Sequence, residues 1–423
     1  MLTIKENGAM GENVQADDLL FAKEAAEYLG ITVQRLNKLI QEDKIKPLKK
    51  NASGTIFHIS ELNRRKEELA IFTAIGNGGK RGMFAIDSRT KQEALNYATL
   101  MNVLNMTESR LESQFDELAK IVSVDVPLDR PEIVEKYCEF FNIEENVLVK
   151  VYEKAKREFS ALRANDEIIK RGNEDYPPLL LKTEQAPRFL YIRGKKALLY
   201  EQRTVALVGS RHASDAAKDN TKRLAEALGR NGITVVSGLA KGIDVSAHTA
   251  ALQSGYNTIA VIGTNLNQYY PAENKEVQLE IEKRGLVISQ FSPATKTQRW
   301  FFPVRNGVMS GLSLATVIME AGETSGALKQ ADFALKQGRQ IMIPEKALKL
   351  EKITWPERYV KRGARVVRTP MDVIELLAEN NIFKPDKRNE NVQQTIEAYL
   401  SELATPSKSD IHLEWSDSVA VEE

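Results

Sequence analysis

The chain has 423 residues, of which 42% are hydrophobic and 28% charged, and its formal net charge is +1. This length and composition predict a soluble globular protein of two or three domains and exclude a single small domain. With a net charge this small, the protein has no positive electrostatic potential over its whole surface. An anionic partner would therefore bind at a local basic patch.

The single cysteine, Cys138, lies in a helical and partly apolar stretch. It excludes an intramolecular disulfide and a Cys-rich zinc site, fits a reducing cytosol, and is interpreted as structural. The N-terminus has neither the basic start nor the apolar core of a signal peptide, and no run approaches about 18 consecutive apolar residues. We therefore expect a cytoplasmic protein that makes no membrane contact.

Residues 1–18 are polar, and we expect them to be flexible. Residues 19–75 form the first predicted domain. Its stretch FAKEAAEYLGITVQRLNKLIQ predicts a helix, a turn at Gly30 and a second helix that Thr32 caps, and GTIFHIS predicts a small strand or wing.

This pattern resembles the excisionase and MerR-type winged helix-turn-helix, whose second helix enters the DNA major groove. The resemblance implies contacts with duplex DNA from Gln34, Arg35, Lys38 and Lys46. A small helical protein-interaction module with a basic solvated face fits the same residues, and both interpretations stay open.

A Gly-rich basic linker, GNGGKRG, follows at residues 76–82. Residues 88–170 have helical apolar spacing throughout, with almost no strand signal, and predict a helical domain. The C-terminal residues 386–423 are charged, end in an acidic sequence, and are expected to form a mobile tail.

Between these parts, residues 171–385 alternate short apolar runs with helical patterns. The runs are TVALVG, ITVVSG, TIAVIG, LVISQF, LATVIME and RQIMIP. Continuous rather than alternating apolar runs are typical of a parallel sheet covered on both faces. The region therefore predicts a doubly wound, mostly parallel α/β domain.

Gly together with Ser or Thr follows three of these strands, immediately before a helix. In such sheets ligands bind at the carboxyl ends of the strands, and loops of this kind expose backbone N–H groups that bind anions. The candidate residues are Gly209, Ser210 and Arg211, then Ser237, Gly238, Lys241 and Gly242, then Ser325, Gly326 and Lys329. A single loop of this kind is usually a simple chain reversal, but three at one sheet edge favour an anion site. Neither G-x-G-x-x-G nor a P-loop is present.

The segment TQRWFFPVRNGVMSGLS at 297–313 places Arg299 and Arg305 on either side of Trp300 and Phe302, with Asn306 at the start of a predicted helix. Interleaved cations and aromatic rings suit single-stranded nucleic acid, whose bases stack on rings while its phosphates meet arginines. Core packing of the rings with solvated arginines explains the segment equally well.

Enzyme chemistry has little support in the sequence. The four histidines share no metal-ligand spacing, and neither HExxH nor GxSxG occurs. We interpret Asp244 as a helix cap and His248 as hydrogen-bonded on that helix, while Glu320 fits either a base or ribose ligand or an acceptor for backbone N–H groups. We therefore predict no catalytic residue, metal or cofactor.

Six sequence blocks give the chain a family resemblance. They are DYPPLLLKTEQAPRFLYIRG, VALVGSR, VSGLAKGIDVSAHTAAL, YPAEN, FPVRN with SGLS, and SGALKQADFALKQGR, in that order over residues 175–339. The chain resembles the DNA-processing protein A family (DprA, also called Smf), which binds single-stranded DNA and helps to load the RecA recombinase.

The resemblance implies an extended Rossmann-like sheet domain preceded by helical modules, a homodimer, and a non-enzymatic pocket for single-stranded DNA. In it Ser210, Arg211 and the Ser237–Gly242 loop with Lys241 would hold phosphates. Arg299 and Arg305 would add charge, Phe302 would stack on a base, and Ser325-Gly326 would form another cradle.

The chain departs from the family pattern in two places. Gly307 stands where the family commonly has a second arginine, which implies the loss of one phosphate contact, and Lys329 lies in an altered SGALKQA run as a substitute cation. The RecA-contacting surface cannot be matched residue by residue.

Two other functions fit parts of the sequence. A nucleotide-sensing or nucleotide-cleaving protein related to the LOG enzymes would use the same phosphate loops together with Glu320, although the LOG-type Gly-rich signature is replaced by AGETSGALK. A transcriptional regulator would use the α/β domain only to dimerise.

Overall fold

The computed structural model describes residues 88–349 and 353–379, and between residues 19 and 58 it describes 19–28, 33–41, 45, 47, 49–51 and 54–58. The predicted flexible N-terminus, the turn at Gly30, the 76–82 linker, Lys46 and the 386–423 tail lie outside the described residues. The chain divides into two units, with the boundary between residues 83 and 84.

The first unit is a small α/β arrangement. Its elements are β1 (Leu19–Phe21), α1 (Ala22–Tyr28), α2 (Val33–Gln41), β2 (Lys49–Asn51) and β3 (Gly54–His58). The strands form an antiparallel sheet in the order β1-β3-β2, and Ala25, Ala26, Leu36, Ile45 and Phe57 are buried around it. Two helices therefore precede a two-stranded hairpin, as the apolar spacing predicts.

The residues predicted to contact duplex DNA lie in or near α2. Gln34 is exposed there, whereas the side chains of Arg35 and Lys38 lie outside what the structure describes. Duplex binding by this unit stays a prediction.

The second unit begins with four helices. They are α3 (Ser88–Leu104), α4 (Glu108–Leu118), α5 (Pro131–Phe141) and α6 (Glu145–Ser160), and their shared core includes the buried rings of Phe115, Tyr137, Tyr152 and Phe159. The half-buried thiol of Cys138 is free and packs beside this core.

The prediction that residues 88–170 are helical is wrong at its C-terminal end. Residues Asp166–Lys170 form strand β4, which pairs antiparallel with β5 (Phe189–Gly194) at one edge of the large sheet. Ile168 and Ile169 are buried there, on opposite faces of the strand. With only two apolar residues between charged ones, this strand has too little pattern to be found in the sequence.

Seven further strands join β4 and β5 in a large sheet. They are β6 (Thr204–Val208), β7 (Thr234–Ser237), β8 (Thr258–Val261), β9 (Leu286–Ser289), β10 (Ala315–Ile318), β11 (Gln340–Pro344) and β12 (Arg365–Val367). The nine strands lie in the order β12-β11-β10-β6-β7-β8-β9-β5-β4. All seven strands from β6 to β12 are parallel. Strand β5 runs antiparallel to them, and β4, which pairs antiparallel with β5, runs in the same direction as the seven. The predicted doubly wound, mostly parallel sheet is confirmed.

Helices connect the strands and cover both faces of the sheet. They are α7 (Pro178–Leu181), α8 (Asp215–Arg230), α9 (Ile243–Gln253), α10 (Lys275–Arg284), α11 (Phe301–Gly311), α12 (Gly326–Lys336), α13 (Trp355–Lys361) and α14 (Pro370–Glu379). Two separate apolar clusters, one around Leu190 and Ile259 and one around Leu207 and Leu224, lie on these faces. In the described part of the chain, no helix has the length and apolar content that a membrane span requires.

The strand order reverses at β6. The chain passes from β6 through β7, β8 and β9 in one direction, and then returns to the other side of β6 with β10. The carboxyl ends of β6 and β10 therefore form the crevice in which open α/β sheets bind their ligands. This is the edge at which the sequence predicts the anion site.

Candidate nucleic-acid interface

The loops that follow β6, β7 and β10 lie against one another. The amide of Ser210 donates a hydrogen bond to the backbone carbonyl of Glu320 at 2.7 Å, and Ile243 donates to the carbonyl of Ser210 at 3.3 Å. Each bond joins two different loops. The topology thus brings together the three Gly and Ser segments that the sequence identifies.

Two glycines make this close approach possible. Gly242 has a φ of +72°, and a Cβ atom there would overlap the carbonyl oxygen of Ser210. A Cβ atom at Gly238 would overlap the guanidinium of Arg305. A larger residue at Gly242 would therefore push the loops apart, and one at Gly238 would displace the Arg305 guanidinium.

Arg305 does not project to the surface, as the sequence pattern suggests, but is buried. Its guanidinium donates to the backbone carbonyls of Gly238, at 2.7 Å, and Val261, so that it joins the ends of β7 and β8. Burial lowers the pKa of Arg305 to about 10, so it remains charged at neutral pH. Its structural role is to hold two loops in place and to put a positive charge beneath them.

Asn306 and Ser237 also turn inward. The amide of Asn306 donates to the carbonyl of Gly326 at 3.3 Å, which ties α11 to the loop before α12. The hydroxyl of Ser237 is buried and donates to the carbonyl of Leu207 at 2.6 Å. The strand register therefore points the Ser237 side chain into the sheet, and phosphate binding by the Ser237–Gly242 loop stays a prediction.

Among the site residues that the sequence predicts, the exposed cations are Arg211, Lys241, Arg299 and Lys329. Lys241 forms an ion pair with Glu273 at 2.6 Å. In the part of the chain that the structure describes, the side chains of Arg211 and Arg299 have neither an ion pair nor a hydrogen bond. The same holds for Lys329, so among the described residues Arg211, Arg299 and Lys329 are the cations of this group that remain available to an anionic ligand.

Phe302 forms an aromatic surface together with Tyr270, a residue that sequence reasoning missed. The two ring centroids are 5.1 Å apart, Tyr270 is 52% exposed, and Phe302 lies over Gly263 after β8. The adjacent Tyr-Tyr-Pro sequence was the signal that could have identified it. Phe301, in contrast, packs into the core by stacking on Phe291 at 4.0 Å.

The loop before α12 presents a helix N-terminus to the crevice. The Ser325 hydroxyl accepts a hydrogen bond from the amide of Ala327, while Gly326 is exposed and Lys329 lies in the first turn. Gly307 is buried in α11, and a Cβ atom there would press against Gln185 and Phe333. The loss of a phosphate contact at this position stays a prediction.

The groups considered for catalysis are already engaged. The carboxylate of Glu320 accepts from the amide of Ser214 at 3.0 Å and from its hydroxyl at 2.7 Å, so Glu320 supports the start of α8. Asp244 is not the predicted cap: the N-cap position of α9 is Gly242, and Asp244, in the first turn, accepts from the amide of Ala240 in the preceding loop at 3.3 Å. Among the described residues, no three His, Cys, Asp or Glu side chains lie close enough to hold a metal ion.

His248 is fully buried and bonds a neighbouring strand rather than its own helix. Its Nδ1 lies 2.7 Å from the hydroxyl of Thr258 on β8. The expected hydrogen bond on α9 is therefore wrong, since the imidazole points into the sheet. Burial lowers the pKa of His248 to about 3, so the imidazole is neutral at physiological pH.

This neutral histidine should make the fold sensitive to acid. Below pH 6.5 the unfolded chain binds a proton that the folded chain does not, so the free energy of unfolding should fall as the pH is lowered. We expect a loss of about 2 kcal/mol between pH 7 and pH 5 from this group. Urea unfolding of the wild type and of His248→Leu between pH 7 and pH 5 measures this loss. The same pH dependence of the free energy of unfolding in both proteins would contradict the role assigned to His248.

Residues 167–378, half of the chain, match the family model of DNA recombination-mediator protein A. The chain belongs to this family. It is 32% identical over 238 residues to DNA processing protein DprA of Bacillus subtilis (strain 168), with 56% of this chain and 80% of that protein covered. It is 33% identical over 236 residues to protein Smf of Escherichia coli (strain K12), with 53% and 63% covered.

The fold agrees with a solved member of the DprA family. The X-ray structure of DNA processing protein A from Streptococcus pneumoniae superposes with a TM-score of 0.52 at 28% identity, covering 70% of this chain and 98% of that one. A second similar structure describes single-stranded DNA binding by the Helicobacter pylori protein, with a TM-score of 0.46 at 26% identity, 51% of this chain and 96% of that one covered. The predicted family membership is therefore confirmed.

Proposed function

We propose that the chain binds single-stranded DNA at the carboxyl edge of its parallel sheet, without making or breaking a bond. The observation that carries the proposal is the contact between the loops that follow β6, β7 and β10, together with the exposed Arg211 and Arg299 and the Phe302–Tyr270 rings. Membership of a family of DNA-processing proteins supports the same class of ligand.

Each part of the edge has a place in this binding mode. The backbone N–H group of Arg211 and the α12 N-terminus bind phosphates, and the exposed arginines supply formal charge. An exposed ring accepts the face of any unpaired base, so the Phe302–Tyr270 surface favours a single strand over a duplex. The buried charge of Arg305 adds to the local positive potential.

Nucleotide cleavage is less well supported. Glu320, which a LOG-type reaction would use, is held by two hydrogen bonds from Ser214. The buried His248 has no position from which to exchange a proton with a ligand. We therefore assign binding rather than catalysis to this edge.

Oligonucleotide binding tests the proposal. Full-length protein is titrated into a labelled thymidine 20-mer and into a duplex of the same length, and fluorescence anisotropy is measured at low salt. We expect saturable binding of the single strand. The sheet edge should bind the single strand more tightly than it binds the duplex. Absence of single-strand binding at low salt would refute the proposal.

Arg211→Ala should weaken binding of the single strand about five- to tenfold, because one charge-assisted phosphate contact is lost. In the described structure the exposed side chain makes no ion pair and no hydrogen bond, so the melting temperature should not change. Arg157→Ala removes an equally exposed arginine on α6 and is the matched control. Equal affinities of the two variants would argue against a phosphate contact at Arg211.

The N-terminal unit is proposed to add duplex binding through α2. Its two helices and hairpin support this, and comparison of the full chain with residues 84–423 on duplex DNA tests it. Equal duplex affinities would contradict the proposal. The homodimer and the loading of a RecA-type recombinase, which the resemblance implies, stay predictions.

A further inference from the structure

A largely apolar cavity of about 520 Å³ lies within the second unit. Its walls come from the end of α3, the start of α4, the chain before β5, the chain after β9 and the start of α11. The lining includes the buried rings of Phe189 and Phe291 and the half-buried side chains of Met101, Met106 and Phe333. An apolar surface of this extent is typical of a binding site for an apolar group.

Two exposed apolar side chains stand at the mouth of the cavity. Trp300 is 46% exposed and Val304 is 38% exposed, and both belong to the lining. The amide of Val304 donates to the carbonyl of Trp300, so the two residues lie one helical turn apart at the start of α11. A partner that covers them removes apolar surface from water, which stabilises the covered state.

Positive charge lies next to this apolar mouth. Lys296 lines the cavity, and Arg299 directly precedes Trp300 in the chain. Both side chains are exposed, and within the described residues neither forms an ion pair or a hydrogen bond. The mouth therefore suits a partner that combines apolar side chains with carboxylates.

The carboxyl groups of the lining do not cancel these cations. Glu112 forms an ion pair with Arg171, and Glu108 accepts a hydrogen bond from the amide of Arg188. The third carboxylate, that of Glu184, is exposed on the chain before β5, in a different wall from residues 296–300. An acidic partner would therefore pair on the 296–299 side.

The sequence of this chain contains a segment with that composition, DIHLEWSD at residues 410–417. Apolar residues alternate with polar ones at Ile411, Leu413 and Trp415, a spacing that places all three on one side of an extended chain. Residues 409–423 contain five Asp and Glu residues and neither Lys nor Arg. Residues 410–417, called the acidic segment below, lie outside the described residues.

The connection to the acidic segment is long enough to reach the cavity. The described structure ends with α14 at Glu379, so residues 380–410 join α14 to Ile411. Strand β5, beside the cavity, lies seven strand positions from β12, which is about 34 Å at the usual spacing between strands. An extended connection of this length spans about 100 Å. The chain itself can therefore supply the partner.

We propose that the acidic segment docks on the cavity mouth of its own chain, with Trp415 in the cavity and its carboxylates at Lys296 and Arg299. A tether raises the effective concentration of such a segment to about the millimolar range, so that weak docking is enough to populate the docked state. Because docking engages Arg299, the acidic segment competes with single-stranded DNA. This consequence rests on the proposed single-strand binding.

Fluorine NMR of the full-length protein labelled with 5-fluorotryptophan tests the docking. The chain has three tryptophans, and loss of one resonance in Trp415→Phe identifies the signal of Trp415. We expect this signal to lie away from its position in urea. Val304→Glu places a carboxylate at the mouth and should shift the signal to the urea position. Ile121→Glu, at a residue that is 57% exposed and outside the cavity lining, is the matched control and should leave it in place.

A Trp415 signal at the urea position in the wild type, or an unchanged signal in Val304→Glu, overturns the proposal. A displaced signal that appears only at high protein concentration assigns the docked segment to a second copy and also overturns it. If thermal unfolding shows that Val304→Glu fails to fold, Lys296→Glu replaces it, since this side chain is exposed and should likewise repel the segment.

Single-strand affinity measured by anisotropy at low salt tests the competition. Neutralising the acidic segment should raise the affinity about threefold, because the DNA-competent state is then fully populated. An equal charge change at exposed glutamates of α5 is the control and should have a smaller effect. The two triple variants are Asp410→Asn/Glu414→Gln/Asp417→Asn and Glu132→Gln/Glu135→Gln/Glu139→Gln.

No gain in the segment variant, or an equal gain in the control, overturns the competition, because net charge alone then explains the affinities. If the wild type does not bind the single strand at all, the proposed function fails. The fluorine signal of Trp415 is measured without DNA and still decides the docking.

Discussion

Replacing Arg193 by methionine is expected to lower the free energy of unfolding by about 3–5 kcal/mol. The Arg193 side chain is 1% exposed, and it donates two hydrogen bonds of 2.6 Å to Asp166 on β4. A third bond of 2.8 Å reaches the carbonyl of Leu266 in the loop that leads to Tyr270. The methionine variant leaves the Asp166 carboxylate buried without its counter-charge.

The exposed neighbour provides the matched control. Arg163 pairs with Glu282 at 2.7 Å, but its side chain is 46% exposed, and the buried Glu282 keeps a second partner in Arg193 at 3.4 Å, so Arg163→Met should cost less, about 1–2 kcal/mol. Chemical unfolding measured for both variants tests the difference. Equal losses, or a wild-type value for Arg193→Met, would show that the buried pair does not anchor β4.

Arg305→Met should reduce both stability and DNA affinity. It leaves the carbonyls of Gly238 and Val261 without their donor, which is expected to cost about 3 kcal/mol in the free energy of unfolding. The loops at β7 and β8 then lose their common support and the charge beneath them. We therefore expect a single-strand affinity about a hundredfold lower, a larger loss than that caused by Arg211→Ala.

Arg305→Lys tests the positive charge at this position separately from the planar shape of the guanidinium group. Lysine keeps the positive charge but lacks the planar group that reaches both carbonyls. It should therefore recover part of the DNA affinity and little of the stability, as thermal unfolding and anisotropy would measure. Wild-type stability and affinity in Arg305→Met would contradict the role assigned to this residue.

The sheet edge could be predicted from sequence because its signals are local. Apolar strands such as TVALV end at a glycine, and a helix follows within a few residues. One short stretch of sequence is therefore enough to locate each loop. The rule that parallel strands end at one edge then brings Ser210, Gly242 and Gly326 together. The strand order, which the structure supplies, then determines which of these loops are in contact.

The direction of individual side chains could not be predicted in the same way. Arg305 and Ser237 stand in motifs that look exposed, yet helix rotation and strand register turn both inward. Tyr270 joins the site only because its loop folds back on Phe302. The Arg193–Asp166 pair depends on two segments that are distant in sequence and share no local pattern.

The most direct test of the account is the salt dependence of single-strand binding. The slope of log affinity against log salt reports the number of phosphates in contact, at about 0.7 for each. Arg211→Ala/Arg299→Ala should therefore have a slope shallower by about 1.4 than the wild type, with an unchanged melting temperature. The same slope and affinity in both proteins would contradict the assignment of this edge to single-stranded DNA.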